Sequence, residues 1–424
     1  MIKFLIKGIF RDRSRSLFPS IVVVGGVMLT VVLYSWMKGF EKDIVRANAN
    51  FRSGHLIVMT NSYADNSDQM PNDLAYIGSN DLISNLDEQF PEIIWLPRIR
   101  FSGLIDIPDT SGETKMQGPV VGLGADLISP SSVEIDFLNL KEALVTGSLP
   151  SKAGEILITS ELAKRLGVEP GQVATIITTT MFGSLTTFNL TISGTIRFGI
   201  AAMDRGVVIA DISDVRRGLD MDDASGEIVG FFRDGSYNEL RAEETTKSFN
   251  YNLTDDSDKY SPVMSTLMEH SGLEATLKMY KYVSGALISI FVAAMSIVLW
   301  NAGLLGSIRR YGEFGIRLAM GESKGQLYRF LIAESVFIGV SGSVLGTMLG
   351  LLLSYYLQEV GIDVSSMLKN ASIVVSDVMR AHITPTSFII GFIPGLAATL
   401  MGASISGIGI YKRQTSQLTK EFEA

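Results

Sequence analysis

Residues 17–37, LFPSIVVVGGVMLTVVLYSWM, decide how this chain is organised. No charged side chain occurs between Arg15 and Lys38. A helix of about 20 apolar residues is long enough to cross the hydrocarbon core of a bilayer. We therefore predict a membrane span, the first of the chain, at residues 17–37, preceded by a short basic segment at residues 1–16.

Three further uncharged runs lie in the last third of the chain, at residues 283–308, 335–357 and 386–411. The composition agrees with this pattern, because 46% of the 424 residues are hydrophobic while 19% are charged. Such a mixture indicates separate membrane and aqueous parts. The sequence thus predicts a membrane α-helical protein with four transmembrane helices, one plus three, and a large α+β extracytoplasmic domain between the first two.

A cleaved signal peptide is the alternative interpretation of the first run, because basic residues precede it. The run is longer than a typical signal core, however, and a charged helical stretch at residues 38–46 follows it directly. The sequence Ala47-Asn48-Ala49 resembles a cleavage site but lies well beyond the apolar run. We interpret the run as a retained span.

The distribution of charge predicts the orientation of the spans. Lys and Arg predominate in residues 1–16 and in the loop at 309–334, and the tail at 412–424 begins with Lys412 and Arg413. Basic segments next to spans stay in the cytoplasm. The acidic segment at residues 38–282 and the loop at 358–385 are therefore predicted to lie outside.

The domain at residues 38–282 mixes strand and helix patterns. Apolar, β-branched runs at 56–59, 120–123, 155–158, 174–177 and 207–210 predict strands, and residues 79–90 and 160–166 have helical patterns. We predict an inserted β-rich lobe at about 142–200. Residues 38–50 and 262–282 are interpreted as stalk helices that feed the spans, although the second could be an ordinary helix at the domain edge.

The chain offers no constellation of residues for catalysis. It has no cysteine, which excludes disulfides and thiol nucleophiles, and its histidines, His55, His270 and His382, are too scattered for a metal site. The segment from Gly321 to Gly325 lacks the spacing of a phosphate-binding loop. We predict no catalytic, metal-binding or cofactor-binding residue and no nucleic-acid partner.

The predicted inner loop at residues 309–334 is charged, yet it contains several apolar side chains: Phe314, Ile316, Leu318, Met320 and Leu327. This mixture favours an amphipathic helix. Such a helix docks into a groove of a partner protein or lies on the lipid interface, and the pattern alone leaves both open.

Glycines recur every four residues in two of the predicted spans. They are Gly342, Gly346 and Gly350 in the third span and Gly391 and Gly395 in the fourth. Small residues in register allow close approach of membrane helices, within a subunit or between subunits. The alternative is that glycine is simply common in membrane helices.

At the inner loop the chain resembles the FtsX-like permease family of ABC transporters. The pattern R-x-x-E-x-G-[IL]-x-R-A-[LM]-G is matched by Arg310, Glu313, Gly315, Ile316, Arg317, Ala319, Met320 and Gly321, and Leu327 fits further on. Leu318 stands where Arg is usual, with Arg317 one position earlier, and Glu322 replaces the usual small residue. The stretch 147–171 resembles the periplasmic core domain of macrolide-exporter permeases. Residues 54–58 are similar to a strand of lipoprotein-releasing permeases.

The resemblance implies a permease dimer, homomeric or heteromeric, with two cytoplasmic ATPase subunits that bind ATP and Mg. Residues 310, 313–317 and 319–321 would couple to the ATPase, with Phe314 among them. The movement driven by ATP would act on a lipoprotein or amphiphile outside the membrane. The resemblance also allows a periplasmic partner, and the spans would contact membrane lipid. The alternative within the family is a transducer that regulates a cell-wall hydrolase.

Overall fold

The first predicted span lies within one long helix, α1, which runs from Arg13 to Asn48. The computed structural model describes residues 13–109, 112–255, 257–270, 272–308, 311–364 and 378–412. Helix α1 continues past residue 37, so residues 38–48 extend the span helix. A π-helical turn, Ala49–Ser53, follows and ends at Gly54, whose φ of 64° favours glycine.

The chain divides into two compact units. The helical unit is drawn from Met1–Lys42, Lys278–Ile362 and Met379–Ala424, and the sheet domain from Asp43–Leu277 and Asp363–Val378. The strands are β1 (Leu56–Thr60), β2 (Tyr76–Ile77), β3 (Ile93–Pro108), β4 (Thr114–Ala125), β5 (Leu144–Gly147), β6 (Glu155–Thr159), β7 (Val173–Thr179), β8 (Leu185–Ile196), β9 (Val207–Asp211), β10 (Ala224–Ser225), β11 (Glu227–Phe232), β12 (Pro262–Thr266), β13 (Ile362–Asp363) and β14 (Val378–Met379).

Ten of these strands form one mixed sheet. Its order is β12-β1-β11-β3-β4-β9-β6-β8-β5, and β7 pairs with both β3 and β8. The pairs β4–β9 and β6–β8 are parallel, and the other neighbouring strands described in this sheet pair in antiparallel fashion. The long strand β3 belongs to both halves of the sheet, because it pairs with β11 near its start and with β7 further on.

Short helices cover the sheet. They are α2 (Asn61–Asp65), α3 (Ser79–Gln89), α4 (Glu134–Phe137), α5 (Leu140–Ala143), α6 (Ser160–Leu166), α7 (Ala201–Asp204), α8 (Ile212–Leu219), α9 (Glu239–Leu253) and α10 (Leu267–His270). One apolar core packs α6 and α8 against the half of the sheet that contains β6 to β9. A second core packs α3 and α9 against β1, β11 and the start of β3.

Two predicted regions of the sheet domain can be compared with the structure. Strands β5 to β8 and helix α6 fall within the region predicted as a lobe at about 142–200. The four strands join the same ten-stranded sheet as the rest of the domain. The predicted second stalk helix is wrong at its start, since residues 262–266 form β12. Its backbone pairs with β1, with Leu56 opposite Thr266, and these non-local hydrogen bonds outweigh the helical spacing of the apolar residues.

The helical unit contains the remaining predicted spans. Helix α11 is Leu273–Ile308, α12 is Tyr311–Ala319 and α13 is Lys324–Glu359. The fourth span begins irregularly, with a 3₁₀ turn at Pro385–Phe388 and a π turn at Ile393–Ala397 before α14 (Ala398–Lys412). Pro394, which has no N–H to donate, lies within the π turn.

Four helical segments among the described residues are long and apolar enough to cross a membrane. They are Ser20–Ser53, Leu273–Val298, Lys324–Glu359 and Pro385–Ile405. The sheet domain lies in sequence between the first and second of them. The predicted fold class, one plus three membrane helices with a large α+β domain, is confirmed.

Candidate coupling segment and helix contacts

Helix α12 forms the candidate coupling segment between the second and third spans. It ends in a tight turn in which Gly321, with φ of 95°, donates its N–H to the carbonyl of Leu318. Only glycine adopts this backbone conformation readily. Ser323 then caps α13, with its hydroxyl accepting from the N–H of Gln326 in a capping box. The short connection therefore has a defined path.

The side chains of α12 divide into a packed set and an exposed set. Leu318 packs against Leu327, Leu331 and Ala403, which lie on α13 and α14. The guanidinium of Arg317 lies 5.0 Å from the ring centre of Phe330, within the range of a cation–π contact. These contacts hold the C-terminal half of α12 against the helical unit.

Two apolar side chains, Ile316 on α12 and Met320 directly after it, face away from this packing. Ile316 is 51% exposed and Met320 is 74% exposed, and they stand four residues apart on one helical face. Ala319 is exposed as well, whereas Gly315 is buried. The segment thus presents a small exposed apolar face, the kind of surface that enters a groove of a partner or lies on the lipid interface.

The other residues predicted for this segment precede Gly315 in the sequence. Glu313 and Phe314 lie on the backbone of α12, and Arg310 is outside the described residues. The coupling role of the segment stays a prediction. In the parts of the chain that the structure describes, no group of three or more His, Asp or Glu side chains could hold a metal ion.

The glycines of the third span lie against α1. A methyl carbon added at Gly342 would lie 2.6 Å from Val23 Cγ1, and one at Gly346 would lie 2.8 Å from Val27 Cβ. At Gly350 the added carbon would lie 2.8 Å from Val31 Cβ. The absence of side chains at these positions lets the two helices approach closely within one chain.

The glycines of the fourth span lie on the same contact. A methyl carbon added at Gly391 would lie 2.6 Å from Val27 Cγ1, and one at Gly395 would lie 2.8 Å from Val27 Cγ2. Val27 is therefore the shared partner of the third and fourth spans, and it is fully buried. Sequence reasoning missed the valines, although Val23, Val27 and Val31 recur every four residues as the glycines do.

His55, which follows Gly54 and precedes strand β1, is buried in the sheet domain. Nδ1 of His55 accepts a hydrogen bond from the N–H of Phe232 at 3.1 Å, and the rings of Phe231, Phe232 and Tyr237 surround the imidazole. Burial lowers the pKa of His55 to about 4, against a raising effect of Asp234 and with a smaller lowering effect of Arg241. His55 is thus a neutral structural residue.

Comparison with known proteins finds a family match for the segment that contains α12. Residues 285–415 match the family described as FtsX-like permease C-terminal. The chain is also similar to two forms of the lipoprotein-releasing system transmembrane protein LolC of Xylella fastidiosa, with 25% identity in strain 9a5c and 24% in strain Temecula1. Each alignment covers 52% of this chain and 53% of the relative, so the chain spans about half the length of the curated relatives it matches.

The chain is also similar to solved structures, one of them over a comparable extent. It is the periplasmic region of MacB from Actinobacillus actinomycetemcomitans, with a TM-score of 0.35 and 13% identity, over 53% of this chain and 94% of that one. The family match, by contrast, covers the second, third and fourth spans together with α12. The C-terminal part of this multi-pass membrane protein is therefore an FtsX-like permease domain.

Proposed function

We propose that the chain is the permease subunit of a mechanotransmission-type ABC transporter. In this proposal a separate ATPase hydrolyses ATP, and the chain itself performs no catalysis. The movement is used to extract or export a lipoprotein or amphiphile at the outer face of the bacterial inner membrane. The observation that carries the proposal is the FtsX-like permease match over residues 285–415, which includes the exposed face of α12.

The proposed contact with the ATPase is α12. Its exposed face, Ile316 and Met320, is short enough to enter a groove, and Leu318 and Arg317 tie the helix to α13. Force applied to α12 is therefore passed to the third span by direct packing. ATP and Mg are bound by two ATPase subunits, each on one permease subunit, and the second permease subunit is a copy of this chain or a relative of it.

The substrate class is inferred from the LolC relatives, whose name assigns them to a lipoprotein-releasing system. A triacylated lipoprotein has an apolar anchor in the membrane and a polar body outside it. A protein with four spans and a large sheet domain offers a surface to each part. The sheet domain is accordingly assigned to the periplasm, in agreement with the distribution of Lys and Arg.

Reconstitution with the partner ATPase in proteoliposomes tests the proposal. The probe is a fluorescent triacylated lipopeptide, and two quantities are measured: ATPase rate and ATP-dependent loss of probe from the bilayer. The proposal expects the lipopeptide to raise the ATPase rate and ATP to release the probe. If neither occurs while a co-purifying cell-wall hydrolase is activated by ATP, the transducer function replaces the transport function.

A further inference from the structure

A fully buried arginine fixes the end of the first helix to the central strand of the sheet domain. Arg98 on β3 is 1% exposed and Glu134 on α4 is completely buried. Arg98 Nε donates to Glu134 Oε1 at 2.8 Å, and Nη2 donates to Oε2 at 2.7 Å. This is the two-pronged arrangement in which a guanidinium binds a carboxylate most specifically.

The remaining nitrogen of the guanidinium binds the backbone of the π turn after α1. Arg98 Nη1 donates to the carbonyl oxygen of Asn50 at 2.8 Å. Carbonyls at the end of a helix lack intrahelical partners, and a buried one needs a donor from elsewhere. Arg98 supplies a donor to the half-buried Asn50, so one side chain joins the π turn that follows α1, strand β3 and helix α4.

Aromatic side chains pack against this junction, in which the Arg98–Glu134 pair is buried. The guanidinium lies 5.6 Å from the ring centre of Phe231, whose other stacking partner is Phe137 at 4.1 Å. One step along the π turn, Phe51 packs edge-on against Phe198 at 4.8 Å. In such a buried setting a charged hydrogen bond is strong, and an unpaired partner is costly.

A buried ion pair contributes little net stability compared with apolar residues of similar volume. Its advantage is geometric, because Arg98 binds its two partners only in one arrangement. We infer that Arg98 is a positioning residue that keeps the end of α1 in a fixed relation to β3, so that displacement of α1 moves the sheet rather than bending the π turn. The force-transmitting role of this junction rests on the proposed function.

The test replaces the ion pair by apolar residues, in the double variant Arg98→Met with Glu134→Leu. The replacement leaves no unpaired charge and removes the bond to Asn50. Loss of one charged hydrogen bond raises the population of the detached arrangement by about tenfold or more. The matched control is Arg216→Met, because Arg216 also donates to a backbone carbonyl, that of Ala224, but far along the chain from α1.

Pulsed electron-spin measurements on the full chain in nanodiscs report the arrangement directly. The chain has no cysteine, so Arg46→Cys on α1 and Glu161→Cys on α6 give two unique and exposed label sites. We expect a narrow distance distribution in the parent and in Arg216→Met, and a broad one in the double apolar variant. A second pair, Glu161→Cys with Leu240→Cys, lies within the sheet domain and should stay narrow throughout.

A narrow Arg46–Glu161 distribution in the double apolar variant would overturn the inference. Arg98→Lys should broaden it partly, because an ammonium cannot form the fork. In proteoliposomes the double variant should release less lipopeptide per ATP hydrolysed at an unchanged ATPase rate, because the detached arrangement is more populated than in the parent. If the parent releases no probe, the proposed function fails, whereas the spin measurement still decides whether Arg98 positions α1.

Discussion

The helical unit and the sheet domain achieve close packing by opposite means. In the helical unit, side chains are removed at the contact, so that Gly342, Gly346 and Gly350 admit the valines of α1. In the sheet domain, long charged side chains are buried and paired, as in Arg98 with Glu134 and Arg100 with Glu227. The difference follows from the two solvents.

In lipid, burying another apolar side chain gains little, because the surroundings are as apolar as the contact. Close approach of the helix backbones then supplies the attraction. In a domain surrounded by water, burial of apolar surface supplies the stability, and buried polar pairs fix the arrangement of the parts. Sensitivity to substitution should therefore depend on volume in the helical unit and on charge in the sheet domain.

The largest loss of stability is expected from Glu227→Gln in the sheet domain. Glu227 is fully buried, and Arg100 Nε donates to its Oε1 at 2.7 Å. Removing the carboxylate charge leaves the guanidinium without its counter-charge, which costs about 3 kcal/mol. Chemical unfolding followed by the fluorescence of Trp95 measures the loss, after the other two tryptophans are replaced by Phe.

The control for this substitution is Glu243→Gln, which disrupts an exposed pair with Lys247 on α9. Exposed helical pairs contribute less than about 0.5 kcal/mol. Equal effects of Glu227→Gln and Glu243→Gln on the unfolding free energy would contradict the view that buried charge dominates in the sheet domain.

Acidification should weaken the sheet domain nearly as much, through His55. Because burial depresses the pKa of His55 from 6.5 to about 4, the unfolded chain binds the proton more tightly than the folded chain does. The stabilising contribution is therefore fully present above pH 6.5 and is lost as the pH falls toward 4, by about 3 kcal/mol in all. Burial also lowers the pKa of His270, which acts in the same direction.

The variant His55→Asn tests this assignment, because its amide oxygen can still accept from the N–H of Phe232 and does not titrate. Unfolding free energies of the parent and the variant are compared at pH 7.5 and pH 4.5. The variant should lose less stability than the parent on acidification. An identical loss in both proteins would exclude His55 as the source.

In the helical unit the same apolar substitution should have different effects at two glycines. Gly346→Leu drives a side chain into Val27 and the carbonyl of Val24, whereas Gly285 on α11 has no atom within 4 Å of an added methyl carbon. Overpacking costs roughly 1–3 kcal/mol. Thermal unfolding midpoints in detergent should fall for Gly346→Leu and stay close to the parent value for Gly285→Leu.

A similar fall at both glycines would mean that helix propensity, rather than contact with α1, determines the result. A compensating variant sharpens the test. Val27→Ala added to Gly346→Leu makes room at the contact and should recover part of the lost midpoint, since residues in contact are energetically coupled.

The spans and many strands could be predicted from the sequence because their signals are local. An uncharged run of about 20 residues has few soluble interpretations. Runs such as those at β6 and β9 have the β-branched composition of buried strands. Helix α6 occupies the predicted residues 160–166 and ends at Gly167, which has the left-handed conformation.

What could not be predicted depends on partners far away in the chain. Residues 262–266 form a strand because their backbone pairs with the edge of β1, about two hundred residues earlier in the chain. The hydrogen bond between Arg98 and Asn50 joins residues 48 positions apart. The sequence around either residue contains no local pattern that indicates the other as its partner. The glycine faces were predicted, but α1 as their partner required the structure.

The smallest effect on stability, and a large effect on coupling, is expected from Met320→Asp at the end of α12. This side chain is 74% exposed and belongs to neither kind of packing, so its replacement should change the unfolding free energy by less than about 0.5 kcal/mol. A charge on the apolar face should nevertheless prevent entry into an ATPase groove. The number of ATPase copies retained per permease during purification measures the effect.

Leu240→Asp in the sheet domain, at a site 72% exposed, is the matched control, and this variant should retain the ATPase fully. If Met320→Asp retains it equally, the exposed face of α12 serves the lipid interface instead, and the contact with the ATPase must be sought elsewhere in the helical unit.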